Sequence, residues 1–205
     1  MNHLYQELLD YWFDNGSDLP TKNEMRKWFL KSRLYDDIIT QKFLDLYKKE
    51  NEKIVSYGCL PISENKEEIL ARIILLDQIP RHIFRGTAEQ FIFEKELVDY
   101  VYKNIGALDR LPLKYKLFFL MPLQHSENIE DQKSYKLIWD SIEEDHPRNR
   151  IREYLIFFQK IGKNGANHRN LIETFGRFPK RNLILCRKNS FEEEVYLQQN
   201  KKSFY

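Results

Sequence analysis

Residues 3–13 of the chain, HLYQELLDYWF, indicate the fold class. Their apolar members are three or four positions apart, as on one face of an amphipathic α-helix: Leu4, Leu8, Leu9, Trp12 and Phe13. The same spacing recurs along most of the 205 residues, and seven Gly and seven Pro are few for a turn-rich β-protein. A lone apolar run such as Leu183–Cys186 would have no strand to pair with. The sequence therefore predicts an all-α protein.

Length and composition favour one folded domain, residues 1–205, of about eight or nine antiparallel helices. Cys59 and Cys186 lack the spacing of metal ligands, and we expect them to be buried thiols in a reducing compartment. The N-terminal residues show neither the charged nor the apolar region of a signal peptide. The longest apolar run, Leu117–Leu123, is too short to cross a membrane. We therefore expect a soluble, cytoplasmic protein without a membrane partner.

Capping and breaking residues predict where several helices begin and end. Asn128 and Ser190 are typical N-caps, and Pro80 is expected to end or kink the helix that precedes it. A short, very apolar helix is expected to begin at Pro112 and to stop at Met121–Pro122.

Three glycines follow the last long helix, which is expected to run from about Pro147 to Ile161. Gly162, Gly165 and Gly176 predict a looser region after it, with one short helix near residues 168–175. Gly176 also permits the positive φ that a tight turn requires.

Positive charge is concentrated near the C-terminus. Between residues 147 and 189, eleven Lys and Arg stand against two Glu, a formal charge of +9 in a chain whose total is +2. Such a segment usually meets an anion. The anion could be internal, because residues 122–146 carry seven acids and two lysines. It could equally be an external polyanion, such as a nucleic acid whose bases stack on Tyr154, Phe157 and Phe175.

The first polar cluster is DQIPRHIFRGT, residues 77–87. Pro80 frees backbone carbonyl groups, and Asp77 could pair with Arg81 or Arg85 to hold the helix break together. The cluster is therefore either a structural ion pair or part of a binding site that includes His82.

The second cluster is QHSE, residues 124–127, followed by Asp131 and Gln132. Glu127 and Asp131 are four positions apart, and with His125 they could offer ligands to a divalent metal. A carboxylate at this position more often accepts hydrogen bonds from free N–H groups near a helix start. No third ligand has a convincing spacing, so no metal site is predicted.

The third cluster extends from His168 and Arg169 to Arg177, Arg181 and Asn182. Arginine binds carboxylate or phosphate with two parallel hydrogen bonds, and histidine can gain charge near neutral pH. The alternative is that these arginines pair internally with the acids near residues 140–145. Gly-x-Ser-x-Gly and a glycine-rich phosphate loop do not occur, and no cofactor is indicated.

These clusters also carry a resemblance to a known family. The strings LLDQIPRHIFRGT (75–87), MPLQHSE (121–127), DQ (131–132) and FGRFPKRN (175–182) resemble the bacterial domain of unknown function 924, as do YWF (11–13) and His168–Arg169. The resemblance spans nearly the whole chain in the right order. It implies a compact all-helical fold grouped with tetratricopeptide-like superhelices, and it implies no established activity.

The chain departs from the family pattern at several positions. The resemblance implies Phe and Asn where this chain has Ile79 and His82. It implies Glu, Asp and His where this chain has Gln124, Asn170 and Lys180. Two carboxylates have thus become amides, which puts an acid–base or metal-ligand role in doubt. The arginines match the pattern: Arg81, Arg85, Arg169, Arg177 and Arg181.

Our hypothesis from the sequence is a pocket for a small anion or an anionic peptide. Its predicted residues are the cationic and polar members of the three clusters: Arg81, His82, Arg85, His125, Glu127, His168, Arg169, Arg177, Arg181 and Asn182. If the protein is an enzyme, His125 or His168 would be the general acid or base, oriented by Glu127. Two alternatives stay open, namely a non-catalytic module that binds a protein partner and a nucleic-acid-binding protein.

Overall fold

A computed structural model describes residues 3–14 and 16–200 of the chain, apart from the side chain of Arg110. Within this part every regular element is helical and no β-strand occurs, which confirms the all-α prediction. The α-helices are α1 (His3–Trp12), α2 (Lys22–Phe29), α3 (Arg33–Tyr57), α4 (Lys66–Ile73), α5 (Ile79–Ile83), α6 (Glu94–Lys103), α7 (Leu113–His125), α8 (Ile129–Asp145), α9 (Arg152–Phe175) and α10 (Phe191–Gln199). A π-helix (Ile74–Gln78) joins α4 to α5, and short 3-10 helices cover Ala88–Phe91, Ile105–Arg110 and Pro179–Arg181.

The chain divides into two compact units, Met1–Pro122 and Leu123–Tyr205, and each is described by itself. That the whole chain is one domain with a tetratricopeptide-like superhelix stays a prediction. In the described part, no helix combines the length and the hydropathy that a membrane crossing requires. The prediction of buried thiols was wrong, because Cys59 and Cys186 are both exposed.

The π-helix before Pro80 explains how the helix passes this residue. Proline lacks an N–H group, and its ring clashes with the carbonyl four residues earlier in a regular α-helix. The wider π-helical turn removes that conflict, and such turns commonly bend a helix. All five residues of the π-helix are buried. The bend therefore carries two polar side chains, Asp77 and Gln78, into the interior of the first unit.

Two N-caps appear as predicted. The Asn128 side chain accepts a hydrogen bond from the Glu130 N–H at 2.9 Å. Ser190 and Glu193 form a capping box at the start of α10, in which each side chain accepts a bond from the other's backbone N–H.

α7 does not stop at Met121–Pro122 as predicted but continues through Pro122 to His125. Its apolar residues on both sides of the proline are buried, so packing outweighs the local penalty of proline in a helix. The Gln132 side chain donates to the carbonyl oxygens of Gln124 at 2.7 Å and Ser126 at 2.8 Å. These bonds stabilise the end of the extended helix, whose last carbonyls would otherwise lack donors.

The prediction of a loose region at residues 162–176 was also wrong, because α9 is one helix from Arg152 to Phe175. Gly165 is buried inside it, and an added Cβ would lie 2.7 Å from Cε1 of Tyr135 on α8. This glycine therefore permits close packing of α8 against α9 and does not loosen the chain. Gly176 ends the helix with φ +68°, the positive value that the sequence led us to expect.

A buried arginine connects four helices of the first unit. Arg72 Nε donates to Glu50 at 2.6 Å, and both side chains are buried. Its Nη1 donates to the Tyr100 hydroxyl at 2.7 Å, and its Nη2 lies within hydrogen-bond distance of Glu68 and Tyr5. Arg72 thus holds α4 to α1, α3 and α6.

We expect Gly165→Ala to destabilise the protein by about 1–3 kcal/mol, because the new methyl group would overlap the Tyr135 ring. Gly162→Ala is the matched control on the same helix, since nothing lies within 4 Å of its added Cβ. That control should be neutral or stabilising by up to about 1 kcal/mol through helix propensity. Urea unfolding followed by circular dichroism measures both changes, and equal effects would contradict our interpretation of Gly165.

Replacing the buried Glu50 by glutamine should lower the free energy of unfolding by about 3 kcal/mol, because Arg72 would lose its closest counter-charge. Asp140→Asn removes an exposed carboxylate paired with Lys136 and should cost less than about 1 kcal/mol. The two variants are compared by urea unfolding at neutral pH. A Glu50→Gln effect as small as that of Asp140→Asn would show that the buried pair contributes little.

Candidate functional site

In the first unit, Arg81 is held by two carboxylates. Its Nη2 lies 3.0 Å from Asp77 Oδ1, which confirms the structural pairing considered from the sequence, and 3.0 Å from Glu94 Oε1. The guanidinium also covers the Phe91 ring, with Cζ 5.3 Å from the ring centroid. Arg81 therefore fastens the bend at Pro80 to α6.

His82 and Arg85 share a third carboxylate, Asp36 of α3. Arg85 binds it through two nitrogen atoms, each at 2.7 Å, and His82 Nδ1 lies 2.8 Å from Asp36 Oδ1. Burial lowers the pKa of His82, and the Arg85 charge adds to the effect. Burial acts in the opposite direction on Asp36, but the hydrogen bonds from Arg85 and His82 prevail and hold the pKa of its carboxyl below the usual value. All three predicted residues of this unit thus have carboxylate partners.

In the second unit, Glu127 anchors the segment that follows α9. Arg187 donates to both of its oxygen atoms, at 2.6 and 2.9 Å, and the Phe178 N–H donates at 2.8 Å. Burial raises the pKa of Glu127, but these hydrogen bonds outweigh burial and the net pKa is lowered. Glu127 therefore does accept a backbone N–H bond, but from Phe178 and not from the start of α8, which Asn128 caps.

The buried Asn182 completes the same turn. Its side chain accepts from Arg187 Nε and donates to Asn189, both at 2.9 Å. Asn182 was predicted to line the pocket, and in the structure it has a structural role in this segment.

Arg177 makes a bidentate pair with the buried Glu193 of α10, at 2.7 and 2.8 Å, and also donates to the Lys188 carbonyl. The sequence suggested acids near residues 140–145 as internal partners of the basic segment. The carboxylates that pair with Arg177 and Arg187 are instead Glu193 and Glu127.

The residues around Asp131 form hydrogen bonds with one another. Ser126 Oγ donates to Asp131 at 2.6 Å, while Glu127 belongs to the Arg187 pair. Among the described residues, no group of three or more His, Cys, Asp or Glu side chains is placed to hold a metal ion.

Three predicted residues come together in the second unit, and a fourth, Arg169, is next to one of them in the sequence. The rings of His125 and His168 have centroids 6.4 Å apart, and His168 also packs edge-on against Phe178 at 5.4 Å. Arg181 stacks on the same Phe178 ring, with Cζ 4.5 Å from its centroid, and donates to the His125 carbonyl at 3.0 Å. Arg169 follows His168 on α9 and is only 19% exposed. We call His125, His168, Arg169 and Arg181 the histidine cluster.

Sequence reasoning missed the carboxylates that hold the arginines. Asp36, Glu94 and Glu193 are separated from their partners by 13 to 49 positions, so helical spacing gives no signal for them. The predicted N-cap at Ser190 located the start of α10, but it did not indicate that Glu193 in the first turn pairs with Arg177. The close approach of the Tyr135 ring to Gly165 was also missed, because Gly165 suggested flexibility.

These features define an all-helical protein whose arginine-rich helix ends are held by internal carboxylates. The chain belongs to the family described as bacterial protein of unknown function (DUF924), whose model matches residues 8–201. It is similar to a solved structure of a protein of unknown function from Agrobacterium tumefaciens, with 26% identity, a TM-score of 0.73, and coverage of 96% of this chain and 97% of that one. No functionally curated protein matches. The resemblance carried by the motifs is thereby confirmed.

Protonation of Glu193 should weaken the attachment of α10. The Arg177 guanidinium lowers the pKa of Glu193 to about 2, from an ordinary value of 4.5. Its stabilising contribution is therefore complete above pH 4.5 and is lost as the pH falls toward 2. We expect Glu193→Gln to cost about 1–2 kcal/mol at neutral pH, a moderate value because Arg177 is partly exposed.

The difference in the free energy of unfolding between the wild type and Glu193→Gln should become smaller as the pH of the measurement is lowered. Glu194→Gln is the control, because Glu194 lies beside it in the same helical turn and is exposed. A difference that does not change with pH would contradict the assignment.

Proposed function

We propose that the second unit binds a small anion of the carboxylate or phosphate class at the histidine cluster. The observation that supports this proposal is the 6.4 Å approach of the His125 and His168 rings, which come from the end of α7 and the middle of α9. Segments 43 positions apart thus bring two imidazole rings together beside Arg181, and histidine and arginine are side chains that bind anions.

Arg169 is the best candidate for direct contact with the anion. Its carboxylate neighbour among the described residues is Glu173 on the same helix, with an N–O distance of 3.6 Å. This distance is longer than a hydrogen bond, so the guanidinium keeps donors for a ligand. Arg81, Arg85 and Arg177 are less suitable, because carboxylates at 2.7 to 3.0 Å already neutralise them.

Two buried atoms on α8 also favour a polar ligand nearby. The Tyr135 hydroxyl and Gln132 Oε1 have no hydrogen-bond partner in the described part of the chain. Tyr135 packs on Gly165, and His168 lies one helical turn beyond that glycine. Buried polar atoms in folded proteins normally have a partner, and a bound polar molecule would supply one.

Inorganic phosphate and citrate are suitable probes, because each presents oxygen atoms with negative charge. At a concentration about tenfold above Kd, a bound anion should stabilise the folded protein by about 1.4 kcal/mol and raise the Tm by about 3–6 °C. Arg169→Gln should abolish most of this rise.

The matched control is Arg33→Gln. Arg33 also forms a long ion pair with a carboxylate four positions later on its own helix, Asp37 at 4.0 Å. It should leave the ligand-induced rise in Tm unchanged. The proposal fails if neither probe raises the Tm of the wild type, or if Arg169→Gln responds as the wild type does.

A further inference from the structure

Three basic residues on the outer face of α9, and Arg150 just before this helix, have no internal partner in the described part of the chain. Arg150, Arg152, Lys160 and Lys163 form no side-chain hydrogen bond or salt bridge with any residue that the structure describes. Glu153 is the one acid between residues 150 and 163. The sequence left two partners open for the basic segment, the acidic helix before it and an external polyanion, and no pairing with that helix is found for these four described residues.

Exposed aliphatic side chains lie among these cations. Ile151, Leu155 and Ile156 are 47%, 39% and 55% exposed. Positions 152, 155, 156, 160 and 163 share one side of the helix by their spacing, and the buried residues of α9 lie on the other. We call the four cations and the three aliphatic residues the basic face.

The end of α8 has the opposite character. Glu143, Glu144 and Asp145 occupy its last turn, which contains no basic residue. Burial raises the pKa of Glu143, and repulsion from Asp140 and Glu144 raises it further. We call Glu143, Glu144 and Asp145 the acidic end.

The acidic end opposes the dipole of α8, and Arg152 opposes the dipole of α9. Acids destabilise a helix C-terminus, and cations such as Arg152 destabilise a helix N-terminus. Although Asp145 and Arg150 are only five positions apart, no salt bridge joins them in the described chain. Each helix end thus carries charges of the unfavourable sign, and the two groups do not neutralise each other. Such unfavourable local choices are expected where an external partner binds.

We propose that the basic face and the acidic end form the interface of a two-fold symmetric dimer of this chain. A two-fold axis between the adjacent groups would place the acidic end of each copy against the basic face of the other. The same contact would cover Leu155 and Ile156, so that apolar burial adds to charge complementarity. This inference does not depend on the proposed anion site.

A second copy fits this surface better than a nucleic acid does. Tyr154 and Phe157, the aromatic residues nearest to the cations, are each only 8% exposed and cannot stack on bases. The acidic end, adjacent to the cations, would also repel phosphate groups. A second copy of the chain offers an acidic end to the cations and a basic face to the acids.

The test uses charge reversal in the full chain. One variant carries Glu144→Lys and Asp145→Lys, and the other carries Arg150→Glu and Arg152→Glu. Both changes place the favourable sign of charge at a helix end, so neither is expected to unfold the protein. Sedimentation equilibrium is measured for each variant, for the wild type and for an equimolar mixture of the two variants, at about 50 mM and about 500 mM NaCl.

We expect the wild type to dimerise at low salt, and each variant alone to dimerise at least about tenfold more weakly, because like charges then face one another. The mixture should regain dimerisation, since each reversed patch meets the opposite charge on the other variant.

The control carries Lys48→Glu and Lys49→Glu, two exposed residues of α3. It makes the same change in net charge as the arginine variant and should leave the dimer intact. A wild type that stays monomeric, with or without binding to an added oligonucleotide, overturns the proposal. So does a mixture that is no more dimeric than its components.

Discussion

The buried ion pair between Arg72 and Glu50 constrains how four helices of the first unit are arranged. Two buried charges are stable only when each meets the other and when their remaining donors and acceptors are also bonded. Arg72 meets this condition through the hydroxyls of Tyr5 and Tyr100 as well as through Glu50. Because these partners lie on three other helices, only one mutual arrangement of the helices satisfies all of them. Apolar packing alone would accept several arrangements, so the polar contacts specify the one that forms.

The same principle explains the arginine motifs. Three motif arginines, Arg81, Arg85 and Arg177, each end close to a carboxylate, as does Arg187 beyond the last motif, and all four are bidentate or doubly paired. Each pair joins a helix end or a turn to a neighbouring element. Arginine suits this work because its planar guanidinium can hold two partners in fixed directions. The motif residues that match the family pattern are thus explained to a large extent by the stability of the helix ends.

Local features of the structure could be predicted from the sequence, and distant pairings could not. The Asn128 cap, the positive φ of Gly176 and the Asp77–Arg81 pair each involve residues within four positions, where helical geometry sets the distance. The partner of Arg177 could not be found in this way, because Glu193 lies on another helix. Gly165 was misinterpreted for the same reason: glycine suits both flexibility and close packing, and the Tyr135 ring that decides between them is 30 positions away.

The positive charge between residues 147 and 189 therefore does not act as one field. An arginine and a carboxylate in contact form a dipole, whose attraction for an external anion falls off faster with distance than that of a single charge. Arg177 and Arg187 are in this state, so their contribution to the +9 is largely cancelled at long range. The cations of the basic face keep their full charge but are exposed, and salt screens them beyond about 8–10 Å. Half-buried Arg169 is screened less. The anion proposed for the histidine cluster would therefore be attracted through less screened charges, whereas the exposed charges on α9 would need a large complementary surface.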